Sequence, residues 1–146
     1  MSNSITLRMR NNLNELVVLM EAAEGFLETG SSASGVLYGV KLVLEEILTN
    51  VIKYGHDDGL EHEIIVILNV DAGRVTVECL DDGREFNPLA APAPQLPDSI
   101  LDCTPGGLGI HLVKQTVDTI SYRREEGRNV LTMVMGLGGK DGRMVF

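Results

Sequence analysis

The sequence predicts an α+β fold: a two-layer sandwich, with an antiparallel or mixed sheet covered by helices on one face. Three observations predict it. Stretches of alternating apolar residues stand at the start, middle and end of the chain, as half-buried strands require. Two long apolar-periodic segments separate the first from the next. A third such segment opens on clustered glycines just before the last pair of strands.

In order, "SITLRMR" sets Ile5, Leu7 and Met9 against polar neighbours and reads as a strand. "NELVVLMEAAEGFLETG" follows, with Leu16, Leu19/Met20, Ala23 and Phe26/Leu27 at helical spacing and Gly30 as its C-cap. "SSASG" is a linker to a second long helix, from about Val36 to Tyr54, that stops at Gly55. "HEIIVILNV" and "RVTVECL", separated by "DAG", form a β-hairpin. Residues 87–105 hold all five prolines and read as a long loop. A loop of that length inside a domain is either a functional lid or an inert insertion. A third helix covers about Leu108 to Asp118, and "ISYRREEGRNVLTMVM" makes a closing hairpin around Glu126-Gly127. Residues from about 137 to 146 read as a loose tail.

At 146 residues the chain reads as one domain, 1–146, with 44% hydrophobic and 23% charged residues, an ordinary globular balance. A net charge of −9 excludes a general nucleic-acid or anionic-membrane binder, because no basic excess is present to neutralise phosphates. Cys79 and Cys103 do not suggest a disulfide framework, so a reducing compartment is expected. No apolar run reaches membrane-span length and "MSNSITLRMR" lacks a signal core, so the expected location is the cytoplasm.

The second helix carries a polar stripe. Setting Glu46 at 0° on a helical wheel, Val40, Val43, Leu44, Ile47 and Val51 fall at about 60–160°, one core face. Lys41, Glu45 and Thr49 fall on the solvated side. Glu46, Asn50 and Lys53 line up near the border of the core face, where they could edge a pocket between helix and sheet. This stripe is either ordinary boundary polarity with a helix pair, or a general base, an oxygen ligand for Mg²⁺ and a phosphate-facing amine.

Two further segments carry chemistry. "VECLDDGREFNP" ends a strand in Asp81-Asp82-Gly83, which is either a turn or a carboxylate for an exocyclic amine, with Gly83 admitting a flat ring. As a strand-end carboxylate, Asp81 is expected to contribute little to packing. "TPGGLGIHLVKQTVD" concentrates Gly106, Gly107 and Gly109 where a helix begins. They match neither the dinucleotide fingerprint nor the P-loop, but free amides at a helix start form an anion site. His56 and His111 are expected to be structural, and His62 carries no signal.

The order of these parts resembles a family. "EEILTNVIKYG" looks like the N box of the GHKL (histidine-kinase-like) ATPase superfamily, whose fold is the Bergerat-type ATP-binding sandwich. "LDDGREFNP" looks like its Asp-x-Gly box, and "GGLGIHLVKQTVDTISYRREEGRNVLTM" like its second glycine box and closing strands. Asp-x-Gly-x-x-Phe-Asn-Pro joined to Gly-Gly-Leu-Gly-Ile is most similar to the small anti-sigma-factor serine/threonine kinases, and the resemblance spans about residues 5–135. Glu85 stands where other branches carry a second glycine. The resemblance implies ATP and Mg²⁺ as cofactors, Glu46 as catalytic base and Asn50 as Mg²⁺ ligand. It places Asp81 on the adenine amine, Gly83 beneath the ring, and Gly106, Gly107 and Gly109 on the phosphates. Lys53 matches a phosphate-facing lysine of the histidine-kinase branch. The implied partners are an anti-sigma-factor antagonist, as serine substrate, and a sigma factor; a homodimer stays open. Two other functions fit parts of the pattern: a non-catalytic ATP-gated interaction switch, and a catalytic domain serving a separate histidine phosphoacceptor protein.

Overall fold

Five antiparallel strands form one open sheet in the order β1-β2-β3-β5-β4. The computed structural model describes residues 2–29, 34–90 and 107–136. Within them run β1 (Ser2–Arg10), α1 (Leu13–Thr29), α2 (Ser34–Tyr54), β2 (Glu63–Asp71) and β3 (Arg74–Asp81), followed by a short 3₁₀ turn (Pro88–Ala90). Then come α3 (Gly107–Thr116), β4 (Thr119–Glu125) and β5 (Arg128–Gly136). The expected α+β sandwich is present, and its sheet is wholly antiparallel among the described residues. The third helix ends at Thr116, two residues before the expected Asp118. Gly30, most of the 31–35 linker, Cys103, most of the 87–105 loop and the 137–146 tail lie outside the described residues.

Alternation decides which face of the sheet is covered. Ile64, Val66, Leu68 and Val70 of β2 stand in register with Asp81, Cys79, Val77 and Val75 of β3. These in turn meet Asn129, Leu131, Met133 and Met135 of β5. All of these are buried, and every one but the Asp81–Asn129 pair is apolar or a thiol. The helices supply the other half of the core: Leu16, Leu19, Ala23 and Leu27 from α1, and Val40, Val43, Leu44, Ile47 and Leu48 from α2. Leu48 lies beyond the core arc expected for α2, because α1 packs beside that helix and widens its buried face. Val51, expected in the core, is only partly buried.

Both hairpins close through two left-handed residues, Ala72 (φ 53°) with Gly73 (φ 79°), and Glu126 (φ 51°) with Gly127 (φ 76°). Two consecutive positive φ values match the twist of an antiparallel pair, which favours glycine at the second position. The start of α1 is held by Asn12, whose Oδ1 accepts from the Glu15 amide at 2.9 Å, while Glu15 Oε1 accepts from the Arg10 amide at 2.7 Å. The polar ends of β3 and β5 therefore sit beside one end of α2, and α3 lies against α2. That is where the predicted motifs meet.

Candidate nucleotide site

Glu46, on the polar stripe of α2, is half-buried, and its carboxylate lies against Gly109 in the first turn of α3. A β-carbon on Gly109 would stand 3.1 Å from Glu46 Cδ and closer still to Oε2. An acid from another helix occupies the space a side chain at this position would take. Glu46 of the stripe thus touches the start of α3.

One turn further along α2, Asn50 carries a buried Nδ2 with no hydrogen-bond partner. A buried amide left unpaired is costly, and its identity as N or O is interchangeable by a flip about the terminal bond. Either orientation fits a bound polyanion with its counter-ion: Nδ2 can donate to a phosphate oxygen, or Oδ1 can ligate a hard cation. Lys53 is exposed in the last turn of α2. Gly107 begins α3; Gly106 lies outside the described residues.

The end of α2 is tied to the end of β3. The Gly55 amide donates to Val51 O at 2.9 Å, and the Gly55 carbonyl accepts from the Arg84 amide at 3.0 Å. A β-carbon on Gly83 would stand 2.7 Å from that same carbonyl oxygen, so backbone meets backbone there. Asp81 is only 8% exposed. Its Oδ1 accepts from the Gly83 amide at 2.9 Å and from Asn129 Nδ2 at 3.0 Å. The expectation that Asp81 contributes little to packing is therefore corrected: it is part of a buried polar network.

Asn129 is the hub of that network. Its Oδ1 accepts from Tyr122 Oη at 2.7 Å, from the Phe86 amide at 3.2 Å and from Arg124 Nη1 at 3.1 Å. Its Nδ2 also donates to Arg84 O at 2.9 Å. Arg124 Nη1 donates in addition to Gly83 O at 2.8 Å. The turn from Gly83 to Phe86 is thus clamped from β4 and β5. Both protons of the Asn129 amide and its oxygen are satisfied, which rigidifies a buried network. Neither Asn129 nor Arg124 carries a motif signal; only the strand register, which sets Asp81 opposite Asn129, brings them to the site.

A second cluster adjoins the same turn. The rings of His56 and His62 stack with centroids 3.6 Å apart and planes 8° apart. His62 Nε2 lies 2.8 Å from Asp58 Oδ2, and its Nδ1 lies 3.2 Å from Asp82 Oδ1. The bond to Asp58 foremost raises the His62 pKa above the ordinary histidine value, the Asp82 carboxylate adding to it. The Leu60 amide, then the His62 ring, holds the Asp58 carboxyl below its usual value.

An α+β sandwich whose helix acid meets a glycine-opened helix, with an unpaired buried amide one turn away and a buried carboxylate at a strand end, has the frame of an ATP-binding domain. The chain belongs to the histidine kinase-like ATPase domain family, whose model matches residues 9–135. It is 29% identical over 96 residues, 66% of this chain and 68% of the relative, to the serine/threonine-protein kinase BtrW of Bordetella bronchiseptica. Its fold is similar to the solved structure of the RsbU and RsbW domains of Rv1364c from Mycobacterium tuberculosis, with a TM-score of 0.64 at 11% identity. That match covers 99% of this chain and 35% of the other, so the chain spans about a third of the solved protein. The resemblance to the histidine-kinase-like ATPase superfamily is thereby borne out, and the relative described as a serine/threonine-protein kinase accords with the kinase type that the sequence resembles. Among the described residues, no helix is long and apolar enough to cross a membrane.

Proposed function

We propose that this protein is an ATP-dependent serine/threonine kinase that phosphorylates an anti-sigma-factor antagonist and, when free of it, sequesters a sigma factor. The observation that carries the reading is the contact between Glu46 and Gly109. It sets a carboxylate from α2 at the glycine start of α3, one helical turn from the orphaned amide of Asn50.

The roles follow from the chemistry of each group. In this reading the adenine amine donates to Asp81, whose Oδ1 already takes two protein donors and whose other oxygen takes neither. Gly83 lets the ring approach bare backbone. The amides of Gly106, Gly107 and Gly109 meet the phosphates at the start of α3, where the helix dipole favours negative charge. Asn50 holds Mg²⁺, which when bound supplies neutralisation of the phosphate charge. Lys53 stands at the phosphate edge of the same stripe. Glu46 takes the proton of the incoming serine hydroxyl as its oxygen attacks the γ-phosphate, and the bond to the β-phosphate oxygen breaks. Residues 88–105 cover the nucleotide as a lid. The cytoplasm is where a sigma factor and its antagonist would be met.

The relative's description as a serine/threonine-protein kinase supports the reaction class. The test is incubation with γ-labelled ATP, Mg²⁺ and candidate antagonist proteins. The expected result is label on a serine or threonine of one of them. Label that is acid-labile and sits on histidine instead, or no transfer to any candidate, would contradict the proposal.

A further inference from the structure

We propose that His56, His62 and Asp82 form a divalent-cation site of the zinc class, separate from the nucleotide site, that ties the α2–β2 connection to the end of β3. Three acceptor atoms converge there. His62 Nδ1 lies 3.2 Å and His56 Nε2 lies 3.5 Å from the same oxygen, Asp82 Oδ1. A tetrahedral shell with bonds of about 2.0–2.2 Å sets neighbouring ligands roughly 3.3–3.5 Å apart. The three donor atoms all lie within 4.8 Å of one another.

The contacts of the two rings favour a cation. Asp58 Oδ2 sits 2.8 Å from His62 Nε2, so Nε2 carries a proton and donates it. Nδ1 in turn faces the Asp82 carboxylate at 3.2 Å, so a cation bound there replaces the proton that Nδ1 shares with Asp82. Metal-binding histidines commonly hold their second nitrogen on a carboxylate in this way, which fixes the tautomer. The His56 side chain is 7% exposed, and its buried Nε2 has no hydrogen-bond partner. A buried ring nitrogen without a partner is costly, and a metal ion between it and the carboxylate would pair both. Two imidazoles and one carboxylate suit Zn²⁺, whereas Mg²⁺ prefers oxygen ligands in octahedral array.

The parallel rings cannot aim both lone pairs at one point while stacked, so binding requires one ring to tilt. His62 is the freer of the two, with its side chain 17% exposed. Asp82 lies between Asp81 and Gly83, so an ion here would pin the adenine turn from its outer side. The site itself does not depend on the kinase reading.

The experiment is calorimetric titration of Zn²⁺ into the chelator-treated full chain without nucleotide, in a Cys103→Ser background that removes one competing thiol. One equivalent should bind with micromolar or tighter Kd and raise Tm, on the order of 5–10 °C at a hundredfold excess over Kd. His62→Ala and Asp82→Asn should each weaken binding at least tenfold, and Asp58→Asn by about 10- to 100-fold through lost orientation of His62. Nitrogen-15 spectra should show Zn²⁺ shifting His62 Nδ1 and leaving Nε2 protonated. Absence of saturable binding up to about 100 µM, a range far weaker than protein zinc sites, would overturn the proposal. Unchanged affinity in a folded His62→Ala protein would overturn it equally, because the ion would then sit elsewhere.

Discussion

The Glu46 carboxylate of α2 occupies the place where a β-carbon of Gly109 in α3 would stand. A side chain at position 109 would therefore compete with Glu46 for space. The interfering atoms belong to the far end of a flexible side chain, so Gly109→Ala should fold and shift Glu46 instead. We expect phosphoryl transfer to fall about 10²-fold, the scale of an ångström-size misplacement, with thermal stability near that of the parent. A fully active Gly109→Ala enzyme would show that Glu46 is not held by this contact during the reaction.

Asp81 has a structural role in the buried network and, in the proposed function, a recognition role, and Asp81→Asn separates them. The amide keeps an oxygen for the Gly83 amide and Asn129, so the fold should persist. The lost charged acceptor should weaken ATP binding by about 10- to 100-fold, the worth of a charge-assisted hydrogen bond. Calorimetry of the variant beside a circular-dichroism melt reads both. Unchanged affinity for ATP would remove the adenine assignment.

Asn129 should matter to both stability and nucleotide binding. Truncation to alanine leaves Asp81 Oδ1 without one donor and frees Phe86, Tyr122 and Arg124 of their shared acceptor. A loss of about 1–3 kcal/mol in unfolding free energy is expected, along with weaker ATP binding as the Gly83–Phe86 turn loosens. Denaturant melts measure the first, and a silent variant would show that the network is redundant.

Cys79 is fully enclosed in the core face of β3, and burial pushes its thiol up to about 12 from an ordinary 9.0. Its pKa is raised on folding, so its stabilising contribution is complete below about 9 and is lost as pH climbs from there towards about 12. In a Cys103→Ser background, alkylating reagent at pH 8 should leave the native protein unlabelled and modify it only in denaturant. Rapid native labelling would mean that the sheet opens locally at β3.

Much of this was legible in the sequence, for identifiable reasons. Period-two alternation exposed all five strands, and the 3.6-residue period exposed all three described helices. Glu46, Asn50 and Lys53 could be aligned because four- and three-residue steps keep to one helix face. The neighbour of Glu46 could not be read, because nothing local to α2 says that the start of α3 lies against it. Leu48 fell outside the expected core for the same reason, its burial depending on how α1 packs beside α2. Asn129 and the His56–His62 stack were invisible because neither follows a period. One is placed by strand register with Asp81, and the other by two chain segments that converge on Asp82.

The lid reading of residues 88–105 is open to a direct check by hydrogen exchange. Peptides from 88–105 should gain protection on addition of Mg-ATP while strands β2 and β3 hold theirs. Equal exchange with and without nucleotide would make the segment an inert insertion.

The central claim is that Glu46 is the base and Asn50 the nucleotide-side ligand on one face of α2. Glu46→Gln keeps size and removes the base, whereas Glu45→Gln alters an exposed neighbour. Measured together for ATP binding and for transfer of the γ-phosphate to an antagonist, Glu46→Gln should retain binding and lose transfer by roughly 10²–10⁴-fold. Glu45→Gln should be nearly silent in both. An inactive Glu45→Gln beside an active Glu46→Gln would contradict every role assigned to that face.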